Sequence, residues 1–293
     1  MRTRAGQSRL SRRHALAGVA ALVAGHPCRT SARQSPWQPQ LVNVGGRSLA
    51  LTCRGAGSPA VVLEAGLTAT ALTWRRAQVG IASYAEACTY DRANLGRSDP
   101  APAPRTAADA AADLDALLGN AGLAAPYILV GASFGGFVVR LFAAARPDAV
   151  AGVVLVDASH EEQVSRLAEI LSEDQLANLA LDVPRNVEGM DLPATWDEVR
   201  AAGPLPDVPL FVLSAGLDKP APPGYPTPAM NQIWRELQAD LATLAPNSAH
   251  VVIATDHDIA LERPAVVVDA VHRVVGAARG GVPLDSVVGT PVP

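Results

Sequence analysis

The sequence predicts an α/β protein built on a mostly parallel sheet of eight strands, and three observations carry that prediction. Eight apolar runs of strand length alternate with helical patterns, as strand–helix–strand units require. The later runs are apolar throughout, which is how strands covered on both faces read. The chain has 293 residues of which 49% are hydrophobic, enough apolar material for a large core.

The first two runs, 41–44 and 48–53, are joined by Gly45-Gly46, a hairpin signal. Runs 60–65 and 87–91 follow, then a helical pattern over 106–119, a run at 127–131, a second helical pattern over 136–147 and a run at 152–156. From 158 to 208 no strand is legible. The pattern there is a polar amphipathic helix over about 161–181 and a Pro-rich return, so 158–208 is expected to be a helical lid set into a core of 41–157 and 209–278. The core resumes with runs 210–215 and 250–254 and ends in a helical pattern over 263–278. The Gly/Pro-rich tail, 279–293, is expected to be disordered.

Residues 1–32 hold six arginines and no Asp or Glu, followed within the segment by the apolar stretch ALAGVAALVAG. This is the layout of an export signal, and the apolar stretch is far shorter than the roughly 20 residues a bilayer span needs. Arg12 and Arg13 resemble the pair of a twin-arginine signal, and the small residues 30–32 suit cleavage after Ala32. The mature protein is therefore expected to be exported, to the periplasm or beyond, with no stable membrane span. Without the segment, 18 basic residues face 28 acidic ones. That acidic body argues against a nucleic-acid partner or an anionic membrane surface and leaves a small molecule as the expected partner.

The chemistry starts at Gly131-Ala132-Ser133-Phe134-Gly135, a G-x-S-x-G between a predicted strand and a predicted helix. A turn that tight crowds the side chains beside the serine, so glycines flank it and the hydroxyl is lifted clear of the sheet. A phosphate-binding turn also follows a strand. A dinucleotide fingerprint, however, needs glycine where Ser133 stands, and a P-loop needs a Gly-Lys-Ser/Thr that is absent. Serine needs a base. Of the six histidines, His257 sits just past the C-terminal end of a predicted strand, the edge where sites gather in open α/β sheets, while His160 opens HEEQV, which lacks the second His of a zinc motif. The carboxylate that orients it should also end a strand between the two. Asp218, on the strand just before that of His257, is the favoured acid; Asp157, one strand further back, is the alternative.

These residues together resemble the α/β-hydrolase superfamily. VVLEAGL (61–67) resembles its oxyanion loop, YDRANLGRSD (90–99) its Y-D-R-x-x-x-G-x-S-D segment, GASFGG its nucleophile elbow and DHDIALERP (256–264) its histidine loop. LVDASHEEQ (155–163) resembles a lidded bacterial branch. The resemblance implies a serine hydrolase that needs no metal or organic cofactor. Ser133 would be its nucleophile, His257 its base and Asp218 its acid, with the N–H groups of Leu67 and Phe134 as the oxyanion hole. A carboxylic ester of a small neutral or hydrophobic molecule is the expected substrate, Trp74, Phe134 and Phe137 supplying apolar surface. An amidase, aminopeptidase or C–C hydrolase would use the same triad, and a non-catalytic receptor the same pocket. In the resembled fold the strands carrying Cys53 and Cys88 are antiparallel neighbours, which implies a disulfide in an oxidising compartment.

Overall fold

The computed structural model describes residues 38–181, 186–280 and 283–284. Residues 1–37, which include Cys28 and the stretch read above as an export signal, 182–185, 281–282 and 285–293 lie outside the described residues.

All eight predicted runs are strands: β1 Gln40–Asn43, β2 Ser48–Arg54, β3 Ala60–Glu64, β4 Ala87–Asp91, β5 Tyr127–Ala132, β6 Val150–Val156, β7 Leu210–Ala215 and β8 Ser248–Ile253. They form one sheet in the order β1-β2-β4-β3-β5-β6-β7-β8. β2 runs antiparallel to β1 and β4, and every pairing from β4 to β8 is parallel. Val61, Val62 and Leu63 of β3 and Ile128, Leu129 and Val130 of β5 are all buried, the signature of strands covered on both sides.

Helices α1 Arg75–Ile81 and α9 Pro264–Ala278 pack Ile81, Val271 and Val274 on one face. Helices α2 Ala107–Asn120 and α3 Gly135–Ala145 pack Leu114, Leu117, Phe137 and Phe142 on the other. Each such side chain, fully buried, stabilises the fold by roughly 1.5–3 kcal/mol. The start of α2 is written in the sequence as T-A-A-D. Thr106 accepts from Asp109 N–H and the Asp109 carboxylate accepts from Thr106 N–H, a reciprocal cap.

The insert between β6 and β7 is helical, as predicted, but it is not one long helix. It holds α4 Gln163–Ala168, α5 Glu173–Leu181 and α6 Leu192–Ala202. The stretch read as a Pro-rich return contains α6, where Pro193 sits in the first turn, a position that lacks an intrahelical N–H partner anyway. Helix α7, Thr227–Leu241, begins the same way with Pro228; the short α8, Ile259–Glu262, follows β8. The tail is ordered at its start, since Arg279 Nε donates to Ser58 O at 3.0 Å and Leu284 N–H to Asn247 Oδ1 at 3.1 Å. Among the described residues no helix is long and apolar enough to cross a membrane.

The Tyr90–Asp99 segment ties the antiparallel edge to the loops that carry the site. Asp91 accepts Ala71 N–H at 2.8 Å and Arg97 N–H at 3.0 Å. Ser98 Oγ donates to Asp91 O and accepts Ala50 N–H at 2.9 Å, and Asp99 accepts Ser48 N–H at 2.8 Å.

Cys53 and Cys88 stand directly opposite each other in the β2–β4 register and form a disulfide. It closes a loop across 35 residues of sequence separation. Constraint of the unfolded chain by such a loop is worth about 2–4 kcal/mol. Replacing both cysteines by serine should lower the unfolding free energy in denaturant by about that amount. Thiol titration of the unfolded, non-reduced protein should find neither sulfur free; two free thiols would contradict the bridge.

Candidate active site

β5 ends at Ala132, and Ser133 turns the chain straight into α3 with φ of 49°, a left-handed conformation that a side-chain-bearing residue seldom adopts. The flanking glycines are explained by close approach. A Cβ on Gly131 would lie 2.6 Å from Gly135 O, and one on Gly135 would lie 2.6 Å from Glu64 O. Ser133 N–H donates to Val156 O at 3.2 Å and Ser133 O accepts from Ser159 N–H at 3.0 Å, so the strained turn is pinned to the end of β6 and the root of the insert.

At the end of β6, Asp157 is another left-handed residue, with φ of 40°. Its carboxylate is fully buried and has four partners. Oδ2 lies 2.5 Å from His257 Nδ1 and 3.2 Å from Lys219 Nζ. Oδ1 accepts Ala215 N–H at 3.0 Å and Trp234 Nε1–H at 3.0 Å. The Trp234 ring lies edgewise to the imidazole, with centroids 6.2 Å apart, and Lys219 Nζ lies over the same ring, 3.7 Å from its centroid. Burial works to raise the Asp157 pKa. The His257 hydrogen bond, the Lys219 charge and the Ala215 N–H outweigh it and hold the carboxyl below its ordinary value.

Asp218, the favoured acid from sequence, is not beside the histidine. Its carboxylate is two-thirds exposed and pairs with Arg235 of α7 at 2.7 Å. The backbone explains this. Lys219 N–H donates to Asn231 Oδ1 and Asn231 Nδ2 donates to Lys219 O, both at 3.0 Å, which clamps the loop after β7 against α7. Lys219 then turns toward Asp157 while Asp218 faces solvent. The histidine reaches past the end of β7 to β6, so the alternative acid, Asp157, takes the position. His160 and His250 are engaged elsewhere, with Asp240 at 3.0 Å and Ser214 at 2.7 Å.

Leu67 and Phe134 flank Ser133 on the loops after β3 and β5. Nearby donors are committed: Ala69 N–H to Gly66 O, Gly136 N–H to Ser133 O and Phe137 N–H to Phe134 O. The N–H groups of Leu67 and Phe134 have no acceptor among the described hydrogen bonds. Beneath the loop lies a buried charge network invisible to the sequence reading. Arg92 donates to Ala65 O and Gly66 O at 2.6 Å each, to both oxygens of Glu188 at 2.7 and 2.8 Å, and to Glu64, which also accepts from Tyr90 Oη. Burial pushes the Glu64 carboxyl up against the pull of Arg92. Arg92 was in plain sight in YDRANLGRSD, but Glu188 lies in the insert and nothing local marks it.

Trp74, Phe134 and Phe137 are core residues, 0%, 3% and 1% exposed, and offer a substrate little surface. The apolar surface is elsewhere. A small solvent-open cleft of about 100 Å³ lies between α4 and α7, walled by Leu167, Ala221, Met230 and Ile233. Lys219 and Trp234, which both touch Asp157, line it as well. Among the described residues one group could hold a metal by position, Cys53, Cys88 and Glu86, but both sulfurs are spent in the disulfide.

Residues 59–207 match the family described as the alpha/beta hydrolase fold. Lipase LipV of Mycobacterium tuberculosis is 35% identical over 196 residues, 64% of this chain and 70% of that protein. A probable transporter, efuK, of Hormonema carpetanum is 32% identical over 45% of this chain, which spans only 21% of that protein's length. A thermophilic esterase from Thermogutta terrifontis has the same fold, with a TM-score of 0.61 at 22% identity, covering 82% of this chain and 98% of that one.

Two outcomes follow from the carboxylate geometry. Asp157→Asn should lower turnover by roughly 10⁴, because the amide favours the wrong imidazole tautomer, while Asp218→Asn, which loses one exposed ion pair, should stay within about threefold. Steady-state kinetics of the two variants checks this, and reversed effects would contradict it. Asp157 is also held below its unfolded value, so the stability it adds is fully present above about pH 4, the ordinary carboxylate value, and is lost as pH falls through the lower folded value. The gap in denaturant midpoint between wild type and Asp157→Asn should therefore narrow below about pH 4; a gap constant with pH would contradict it.

Proposed function

This chain belongs to the α/β-hydrolase family, and we propose that it is a serine hydrolase that cleaves carboxylic esters of small neutral or hydrophobic molecules. One observation carries the proposal: a strained, half-buried Ser133 and a His257–Asp157 pair at 2.5 Å share the carboxyl edge of one parallel sheet. Serine and histidine need each other chemically, and a buried carboxylate on Nδ1 is what leaves Nε2 free to act as base.

The reaction runs in two steps. Ser133 Oγ attacks the ester carbonyl as His257 Nε2 takes its proton, and Asp157 stabilises the imidazolium. The carbonyl oxygen becomes an oxyanion held by the N–H groups of Leu67 and Phe134, each worth roughly 10²–10³ in rate. Collapse expels the alcohol, which takes the proton from His257, and leaves an acyl-serine. Water then attacks the acyl carbon, giving its proton to the same nitrogen, and the acid departs as the proton returns to Ser133. The cleft beside Trp234 would hold an apolar part of the substrate, its walls being mostly hydrocarbon with the stem of Lys219 at the rim. The similarity to a lipase supports this reaction class.

The disulfide fits the exported state expected from residues 1–32, since such bonds persist in oxidising compartments.

A fluorophosphonate probe should label the native protein once, at Ser133, and Ser133→Ala should abolish labelling. The same variant should cut hydrolysis of p-nitrophenyl esters by roughly 10⁴ or more while leaving the fold intact. Hydrolysis within tenfold of wild type would overturn the assignment of the nucleophile.

A further inference from the structure

Thr68 follows Leu67 directly and has φ of 60°, a left-handed conformation that is unusual for a β-branched residue. Its N–H donates to Glu188 Oε1 at 2.6 Å. Glu188 lies 120 residues away, in the insert, with its side chain fully buried. Both of its oxygens also take Arg92, which in turn holds the carbonyls of Ala65 and Gly66. One carboxylate thus meets the oxyanion loop at Thr68 directly and at Ala65–Gly66 through Arg92, on both sides of Leu67.

Glu188 is itself fixed. Its carbonyl accepts from Asn94 Nδ2 at 3.1 Å, and the residues after it are zipped to the core, with Arg105 N–H on Gly189 O at 2.9 Å and Asp191 N–H on Arg105 O at 2.6 Å. Asn186 braces the same turn through both the N–H and the carbonyl of Met190. This limb of the insert is therefore part of the catalytic edge, whatever the helices beside the cleft do.

We propose that Glu188 is a positioning residue of the oxyanion hole: the insert, through this one carboxylate on Arg92 and the Thr68 N–H, sets the direction in which the Leu67 N–H points. The inference rests on the serine-hydrolase reading, because it assigns a role within that site. A donor aimed at the developing oxyanion matters more in the tetrahedral state than in the bound ester. Loss of its support should therefore lower kcat and spare KM.

The test compares wild type, Glu188→Gln and, as a control within the insert, Glu162→Gln, whose carboxylate takes exposed Ser165 and Arg200. Three quantities are measured: kcat and KM on a p-nitrophenyl ester, inhibition by an aryl trifluoromethyl ketone, and inhibition by the corresponding methyl ketone. The trifluoromethyl ketone takes Ser133 Oγ onto its carbonyl carbon, the proton passing to His257 and the carbonyl oxygen becoming the oxyanion, whereas the methyl ketone binds without that charge. Glu188→Gln should lower kcat roughly 10- to 100-fold and weaken the trifluoromethyl ketone in parallel, with KM and the methyl ketone within about threefold. Glu162→Gln should match wild type. If Glu188→Gln does not fold, Glu188→Asp, one methylene too short to reach both Arg92 and Thr68, should show the same split.

A folded variant with unchanged kcat, or one that loses both ketones equally, overturns the inference. Wild type is titrated first with a fluorophosphonate. A wild type that is not labelled overturns the serine-hydrolase reading and this inference with it. A labelled wild type beside an unimpaired Glu188 variant overturns the inference alone.

Discussion

A strand of a parallel sheet must leave the sheet at its carboxyl end, and here three neighbouring strands do so through residues forced into left-handed backbone. Thr68 lies four residues beyond β3, Ser133 directly beyond β5 and Asp157 directly beyond β6, with φ of 60°, 49° and 40°. Since β3, β5 and β6 are adjacent in the sheet, the three turns stand side by side. Each conformation costs about 1–3 kcal/mol in isolation and persists only where the surroundings over-determine it. They do: Thr68 N–H is held by Glu188, Ser133 N–H by Val156 O and Asp157 N–H by Leu213 O at 2.7 Å. The rest of the site depends on this row of turns, because they lift a hydroxyl and a carboxylate out of the sheet and turn the Leu67 loop toward them.

Two buried charge clusters lie on either side of the serine and do different work. Around Asp157 one carboxylate is surrounded by donors, so it stays ionised and can stabilise a positive imidazole. Around Arg92 one guanidinium serves two carboxylates and two carbonyls, which fixes backbone positions. Buried ion pairs of this kind add little net stability compared with apolar packing, yet removing one partner is strongly destabilising. Their value is geometric. The sheet core, with Val61, Leu63, Leu129 and Leu155 fully buried, supplies the hydrophobic stabilisation that lets such groups be desolvated.

Much of this was legible in the sequence, for identifiable reasons. Unbroken apolar runs mark the later strands because both faces of each central strand are covered. Gly131 and Gly135 mark the elbow because a Cβ at either would strike backbone. Two of the helices that went unread, α6 and α7, open with prolines that look like breakers and are first-turn residues. The carboxylate beside His257 is Asp157, one strand back from the favoured Asp218. Sequence order places Asp218 next to His257, but Asn231 of α7 captures the loop and presents Lys219 instead, a contact no local pattern encodes. Glu188 is in the same position: its meaning comes from Thr68, 120 residues away.

The role proposed for Asp157 is to orient His257, and proton NMR reads that bond directly. A hydrogen shared between His257 Nδ1 and a buried carboxylate at 2.5 Å should resonate far downfield of the amide envelope at neutral pH. It should remain in Asp218→Asn and vanish in Asp157→Asn. A downfield proton that survives in Asp157→Asn and disappears in Asp218→Asn would contradict the account.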